Sequence, residues 1–124
     1  MIFNSPLSVP VGKDKFILNL NNYRNAHYRV LNNAKINYKK LMASQMKFIN
    51  PFDKVKIHYT IYPKTKRLTD VANVASIHAK FFSDSLVEYG LLVDDNYNYL
   101  ISSSESFGMV DKINPRVEIN VEEI

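Results

Sequence analysis

Hydrophobic and polar positions change period several times along the chain, and each change predicts an element. Residues 15–20 alternate, with Phe16, Leu18 and Leu20 on one side and Lys15, Ile17 and Asn19 on the other, the period of a strand. Asn21 and Asn22, both capping-type residues, then open a helical pattern that runs to about Met46. At about 100° per residue, Tyr23, His27, Val30, Leu31, Ala34, Tyr38 and Leu41 share one arc, which leaves Arg24, Arg29, Lys35, Lys39, Lys40 and Lys47 on the remaining surface. After turn residues Asn50, Pro51 and Asp53, residues 54–62 alternate again. Val55, Ile57, Tyr59 and Ile61 face one way, Lys56, His58 and Thr60 the other, and Pro63 ends the run.

The helical period returns from Asp70 to Tyr89, with Val71, Val74, Ala75, His78, Phe81, Phe82, Leu86 and Tyr89 on the arc expected to be buried. His78 falls mid-arc and reads as a satisfied core histidine; His27 likewise reads as a packed residue rather than a ligand. Gly90 follows as a helix-ending glycine. Residues 97–101 and 116–121 read as two more strands joined by a polar excursion over 102–106, and residues 1–13, with two prolines, as an irregular entry. The expected architecture is α+β: a small mixed sheet of about four strands with two helices packed on it, in a single domain over residues 1–124.

The chain has no cysteine, which excludes a disulfide framework, a thiolate zinc site and a cysteine nucleophile. That agrees with a reducing, cytoplasmic setting. No run approaches the roughly 18 apolar residues of a spanning helix, so a soluble protein without a membrane partner is expected. Charge changes the picture more. Residues 1–67 hold 13 Lys and Arg against two acids, whereas residues 68–124 hold three cations against ten acids, so a net +4 conceals halves of +11 and −7. Such a split fits a polyanion-facing surface from the first half and carboxylates with another task in the second; solvated faces are the plainer reading.

Candidate chemistry concentrates between the two halves. Lys64, Lys66 and Arg67 form a basic loop, Asp70 and Asn73 begin the second helix, and Asp94 and Asp95 lie in the turn after it. Carboxylates beside cations suit a divalent cation held against a phosphate, because magnesium takes oxygen ligands, keeps several waters and is satisfied by few carboxylates. Lys80 offers a further positive charge for a developing transition state. Each piece also has a structural explanation, Asp70 as a helix cap and Asp94 and Asp95 as turn residues. The two carboxylate sites meet only if the last strands return the turn to the start of the helix.

Taken together, Arg67, Asp70, Asn73, Lys80, Asp84, Ser85, Leu86, Gly90, Asp94 and Asp95 give the stretch a pattern that resembles the RusA family of Holliday junction resolvases, small dimeric endonucleases common in phages and prophages. Asn21, Asn22, Tyr23 and Arg24 resemble that family's amino-terminal Asn-Asn-Arg-Tyr segment. The resemblance implies a homodimer that cleaves four-way DNA junctions with magnesium or manganese and no small-molecule cofactor. It implies Asp70 and Asp95 as catalytic metal ligands, Asp94 as their neighbour and Lys80 as the catalytic lysine. Lys64, Lys66, Arg67, Arg24, Lys35 and Lys39 are then the expected phosphate-binding residues. Two departures stand out. Ala72 occupies the position of the family's second carboxylate, and four extra residues separate Asn73 from Lys80. Asn73 is therefore a candidate ligand through its amide oxygen, and a binding protein without catalysis is the alternative.

Overall fold

In the computed structural model, which describes residues 1–67 and 70–124, the chain opens with strands β1 (Ile2–Ser5), β2 (Ser8–Val11) and β3 (Asp14–Ile17). Helices α1 (Leu20–Asn25) and α2 (Tyr28–Met46) follow, and then β4 (Val55–Tyr62), α3 (Val71–Glu88), β5 (Leu100–Phe107) and β6 (Arg116–Glu123). A four-stranded sheet runs in the order β1, β6, β4, β5; β2 and β3 form a separate antiparallel hairpin. Within the sheet β6 is antiparallel to both β1 and β4, whereas β5 is parallel to β4. The fold is thus a small mixed α+β structure, with two long helices, one short helix and a hairpin.

One face of the sheet carries the core. Val55, Ile57, Tyr59 and Ile61 of β4 and Val117, Ile119 and Val121 of β6 are buried, each on the inward beat of a period-two pattern. Over them lies α3, whose Phe82 ring meets Phe3 and Tyr59 edge-on at centroid distances of 5.2 and 6.4 Å while Phe81 meets Tyr38 at 5.5 Å. Burying an aromatic side chain of this size stabilises by about 2–3 kcal/mol. Because α3 touches α1 and α2 as well as β4 and β5, its buried surface is wider than the single arc read from the sequence and adds Ile77, Ser83 and Ser85. The two serines close their hydroxyls onto helix carbonyls, Ser83 onto Ala79 and Ser85 onto Phe81.

Several expectations are corrected. The alternation at residues 15–20 belongs to β3, which ends at Ile17, and to the entry of α1 at Leu20. The supposed irregular entry supplies β1, paired with β6, and β2, which turns into β3 at Gly12, where φ of 61° suits the first central residue of a tight hairpin turn. The first long helix is broken. Ala26 and His27 are extended, and the exposed His27 caps α2 by accepting the Arg29 amide at 3.2 Å, so it is neither packed nor helical. Within α2 the buried residues are Ala34, Tyr38, Met42 and Met46, spaced by four, while Val30 and Leu41 point outward. Finally, the polar excursion over 102–106 is the body of β5.

His78 is buried as expected but only half satisfied. The Ser5 hydroxyl lies 2.7 Å from His78 Nδ1 and 2.7 Å from the Tyr38 hydroxyl, while His78 Nε2 has no partner among the described residues. On the sheet's other face His58 is held between Ser104 and Ser106 hydroxyls, at 2.6 and 2.8 Å. No helix among the described residues is long and apolar enough to cross a membrane.

Candidate functional site

Asp70 occupies the cap of α3 with an extended backbone, and its carboxylate accepts the Asn73 amide at 3.2 Å. An exposed carboxylate at a helix start is favoured by four unpaired amides and by the helix dipole. Asn73 turns its amide oxygen the other way, accepting the Leu20 amide at 2.9 Å and so joining the start of α1 to the first turn of α3. That oxygen is committed to structure. Asn19 performs the matching task at α1, where its side chain accepts the Asn22 amide at 2.8 Å.

These residues line one side of a cleft of about 480 Å³, together with Asn21, Arg67, Ile61, Pro63 and Leu18. Asp70 and Arg67 therefore share a concavity, as the basic-then-acidic stretch suggested. Asn19 and Asn21 are additions: the sequence pattern puts Asn19 on the outer side of a strand and Asn21 among the capping residues of a helix, although the run Asn19, Asn21, Asn22 was the available signal.

The remaining predicted residues lie elsewhere. In a strand–helix–strand unit with parallel strands, the loop after the first strand and the loop before the second lie at opposite ends of the sheet. Here β4 leads into the basic loop and Asp70, α3 runs back, and the acidic turn leads into β5. From Asp70 to Leu86 the helix advances about 24 Å. At its far end the Leu91 and Leu92 amides bond back to the Leu86 carbonyl, and Phe52 N–H to the Leu91 carbonyl, fixing the start of the acidic turn there. Asp94 shapes that turn by accepting the Asp95 amide at 2.7 Å and the Asn96 side chain at 3.0 Å; Asp95 is exposed. Asp70 and Asp95 of one chain thus sit at opposite ends of α3. The condition for their meeting is not fulfilled within one chain.

Lys80 is exposed midway along α3, about 15 Å along the axis from Asp70. Its ammonium stands 5.4 Å from the centroid of the Tyr23 ring, and that of Lys35 stands 5.9 Å from the same ring. Tyr23 thereby gathers cations of α2 and α3 into one patch, with exposed Arg24 beside it in sequence. Lys39 differs, being paired with Glu88. Lys64 and Lys66 are exposed in the loop that follows β4.

Among the described residues no three His, Asp or Glu side chains converge as a metal cage. At the cleft the donor set of one chain is a single carboxylate, Asp70, with the oxygens of Asn19 and Asn73 already engaged. Magnesium tolerates few protein ligands, but one carboxylate without a second is less than a phosphodiester-cleaving site requires. The residues of a single chain do not fit the ion. No protein-family model matches the chain, and no curated protein matches it.

Proposed function

We propose that this protein is a structure-selective DNA endonuclease that acts on four-way junctions as a homodimer and depends on magnesium or manganese. The observation that carries the reading is the cleft in which Asp70, capping α3, shares a concave surface with Arg67 of the basic loop, in the Asp-x-x-Asn setting that resembles the RusA family. Lys64, Lys66 and Arg67 hold the backbone of the bound arm, and the patch of Tyr23, Lys35 and Lys80 extends the positive surface along the helices. Phosphate contacts of this kind position DNA without reading bases, as selection by shape requires. A twofold-symmetric junction cut on paired strands calls for a twofold-symmetric enzyme.

A second reading is favoured by two specific observations, Ala72 in place of a carboxylate and the single carboxylate at the cleft. On that reading the protein binds junctions without cutting them. Cleavage of a labelled synthetic junction, beside a linear duplex of the same sequence, with and without magnesium or manganese, separates the two. Paired symmetric cuts in the junction alone, absent from Asp70→Asn, support the endonuclease; tight junction binding with no cuts in either metal leaves the binding protein.

A further inference from the structure

Helices α1 and α2 meet at a corner that the apolar period of the sequence does not mark. The Ala26 amide closes α1 onto the Asn22 carbonyl, Ala26 and His27 are extended, and Tyr28 opens α2, so that His27 and Tyr28 are exposed at the corner instead of joining the core. Tyr28 is 68% exposed, and its ring leans on that of His27 with centroids 4.6 Å apart and planes tilted by 32°. Both rings are held. His27 Nδ1 accepts the Arg29 amide at 3.2 Å as the cap of α2, and Arg29 Nε donates to the Tyr28 hydroxyl at 3.3 Å, with the guanidinium 5.9 Å from the ring centroid. An exposed tyrosine by itself is ordinary. Two rings in contact and fixed by an arginine form a step that is ordered before anything binds, which lowers the entropic cost of binding.

The charge around the step is of one sign. From Lys15 to Phe52 the chain holds seven Lys and Arg and no carboxylate, and among the described residues the one salt bridge made by this stretch is that of Lys39 with Glu88. Arg24 and Arg29 flank the two rings in sequence, and both are exposed. Lys35 lies two turns beyond Tyr28 on the same line of α2, about 10 Å along the axis. There it meets the Tyr23 ring, which joins the step to the patch that Lys80 completes. A cleft of about 260 Å³, lined by Lys15, Phe16, Asn22 and Asn25, runs up to Ala26, the residue before His27.

We infer that the corner between α1 and α2 is a binding site for single-stranded DNA, with an unpaired base stacked on Tyr28 and the flanking phosphates on Arg24, Arg29 and Lys35. Cations alone suffice for a duplex, whose bases are stacked on one another and leave a protein ring no face to cover; an exposed ring set among cations gains from a strand whose bases are open. Such stacking reads no sequence, because every base has a π face. The corner shares no residue with the cleft at Asp70. It therefore sets which branched substrates are preferred, namely those with an unpaired base or a single-stranded arm beside the branch. That preference, and DNA rather than RNA as the strand, rest on the proposed nuclease function, whereas the stacking of an unpaired base does not.

A short oligothymidine carrying one 2-aminopurine, titrated with the protein in EDTA, reports the stacking directly, because a ring stacked on the probe quenches it and the chain has no tryptophan to add emission of its own. The wild-type protein is expected to bind and to quench. Tyr28 is exposed, so Tyr28→Leu is expected to melt with the wild type. It is expected to weaken single-strand binding about ten-fold and lose the quench, with little change in the salt slope or in affinity for a hairpin duplex. Tyr28→Phe, which keeps the ring, is expected to restore most of both. Arg24→Ala is expected to flatten the salt slope by about 0.7 and to leave the quench in the bound state. A wild-type protein that leaves the probe unquenched, a Tyr28→Leu protein that binds and quenches as the wild type does, or one that loses single strand and duplex equally, overturns the site. Oligouridine bound more tightly than oligothymidine, with the same dependence on Tyr28, overturns DNA as its occupant. No cleavage enters these measurements: a protein that cuts no junction still passes or fails them, and one that cuts junctions without Tyr28-dependent stacking loses this site alone.

Discussion

At Asp70 an asparagine is the informative substitution, because asparagine caps a helix as well as aspartate does and carries no charge. Asp70→Asn is expected to leave thermal stability nearly unchanged and to abolish metal-dependent junction cleavage, while Asp70→Ala also loses about 1 kcal/mol of stability with the bond to the Asn73 amide. Thermal melts beside the cleavage assay distinguish the two losses. Asn73 needs the same separation. Its oxygen is the partner of the Leu20 amide, so Asn73→Ala is expected to destabilise by about 1–2 kcal/mol whatever its effect on activity, and Asn73→Asp, which keeps an acceptor, to restore most of that. His78 gives a pH dependence. Burial without a partner for Nε2 pushes its pKa down to about 3, against the ordinary value of about 6.5 in the unfolded chain. Between those values the unfolded chain binds the proton and the folded one does not, so stability is full above pH of about 6.5 and declines as the pH falls toward 3. Urea midpoints at pH 7, 5.5 and 4.5 are expected to fall in that order, and His78→Leu to remove most of the slope.

Among the elements, the end of α3 shows how a local motif positions chemistry. The Leu91 amide bonds to the Leu86 carbonyl and the Gly90 amide to that of Val87, with Gly90 at φ of 72°, a helix end that needs a left-handed residue. Nothing stands within 4 Å of a Cβ built on Gly90, so the expected cost of Gly90→Ala, about 1 kcal/mol, is conformational alone. A chemical melt checks it. This helix end was legible in the sequence, as were β4 and the core of α3, because each buries one side of a clear period. Strand β5 was not: seven of its eight residues are polar or half exposed on both faces, so no apolar alternation marks it. The break at Ala26 and His27 also escaped notice, since neither glycine nor proline stands there and the apolar period continues through it. The residues of the candidate site could be named from their order along the chain. Their distribution over two ends of one helix could not, because it depends on β5 lying parallel to β4, which the pattern of single residues does not encode.

Over the whole molecule, the cationic surface is uneven, and the unevenness predicts how DNA binding responds to single changes. Each lysine that neutralises a phosphate releases condensed counterions, so its loss flattens the dependence of log affinity on log salt by about 0.9 for duplex DNA. Lys35 and Lys80 share the Tyr23 ring and have no carboxylate partner in a salt bridge among the described residues, leaving their charge available to a phosphate. Lys39 lies on the same helix as Lys35 and looks equivalent in the sequence, yet it is paired with Glu88. A DNA phosphate must displace that carboxylate to reach it, so the net charge offered there is small. Lys35→Ala and Lys80→Ala are therefore expected each to lower junction affinity and reduce the salt slope by about one counterion, whereas Lys39→Ala changes the slope little. Glu88→Gln separates this account from simple distance to the DNA. Freed of its partner, Lys39 is expected to act as a phosphate contact and steepen the slope, measured by anisotropy of a labelled junction over a salt series; equal slopes for the wild-type and Glu88→Gln proteins would place this end of the helices outside the DNA path.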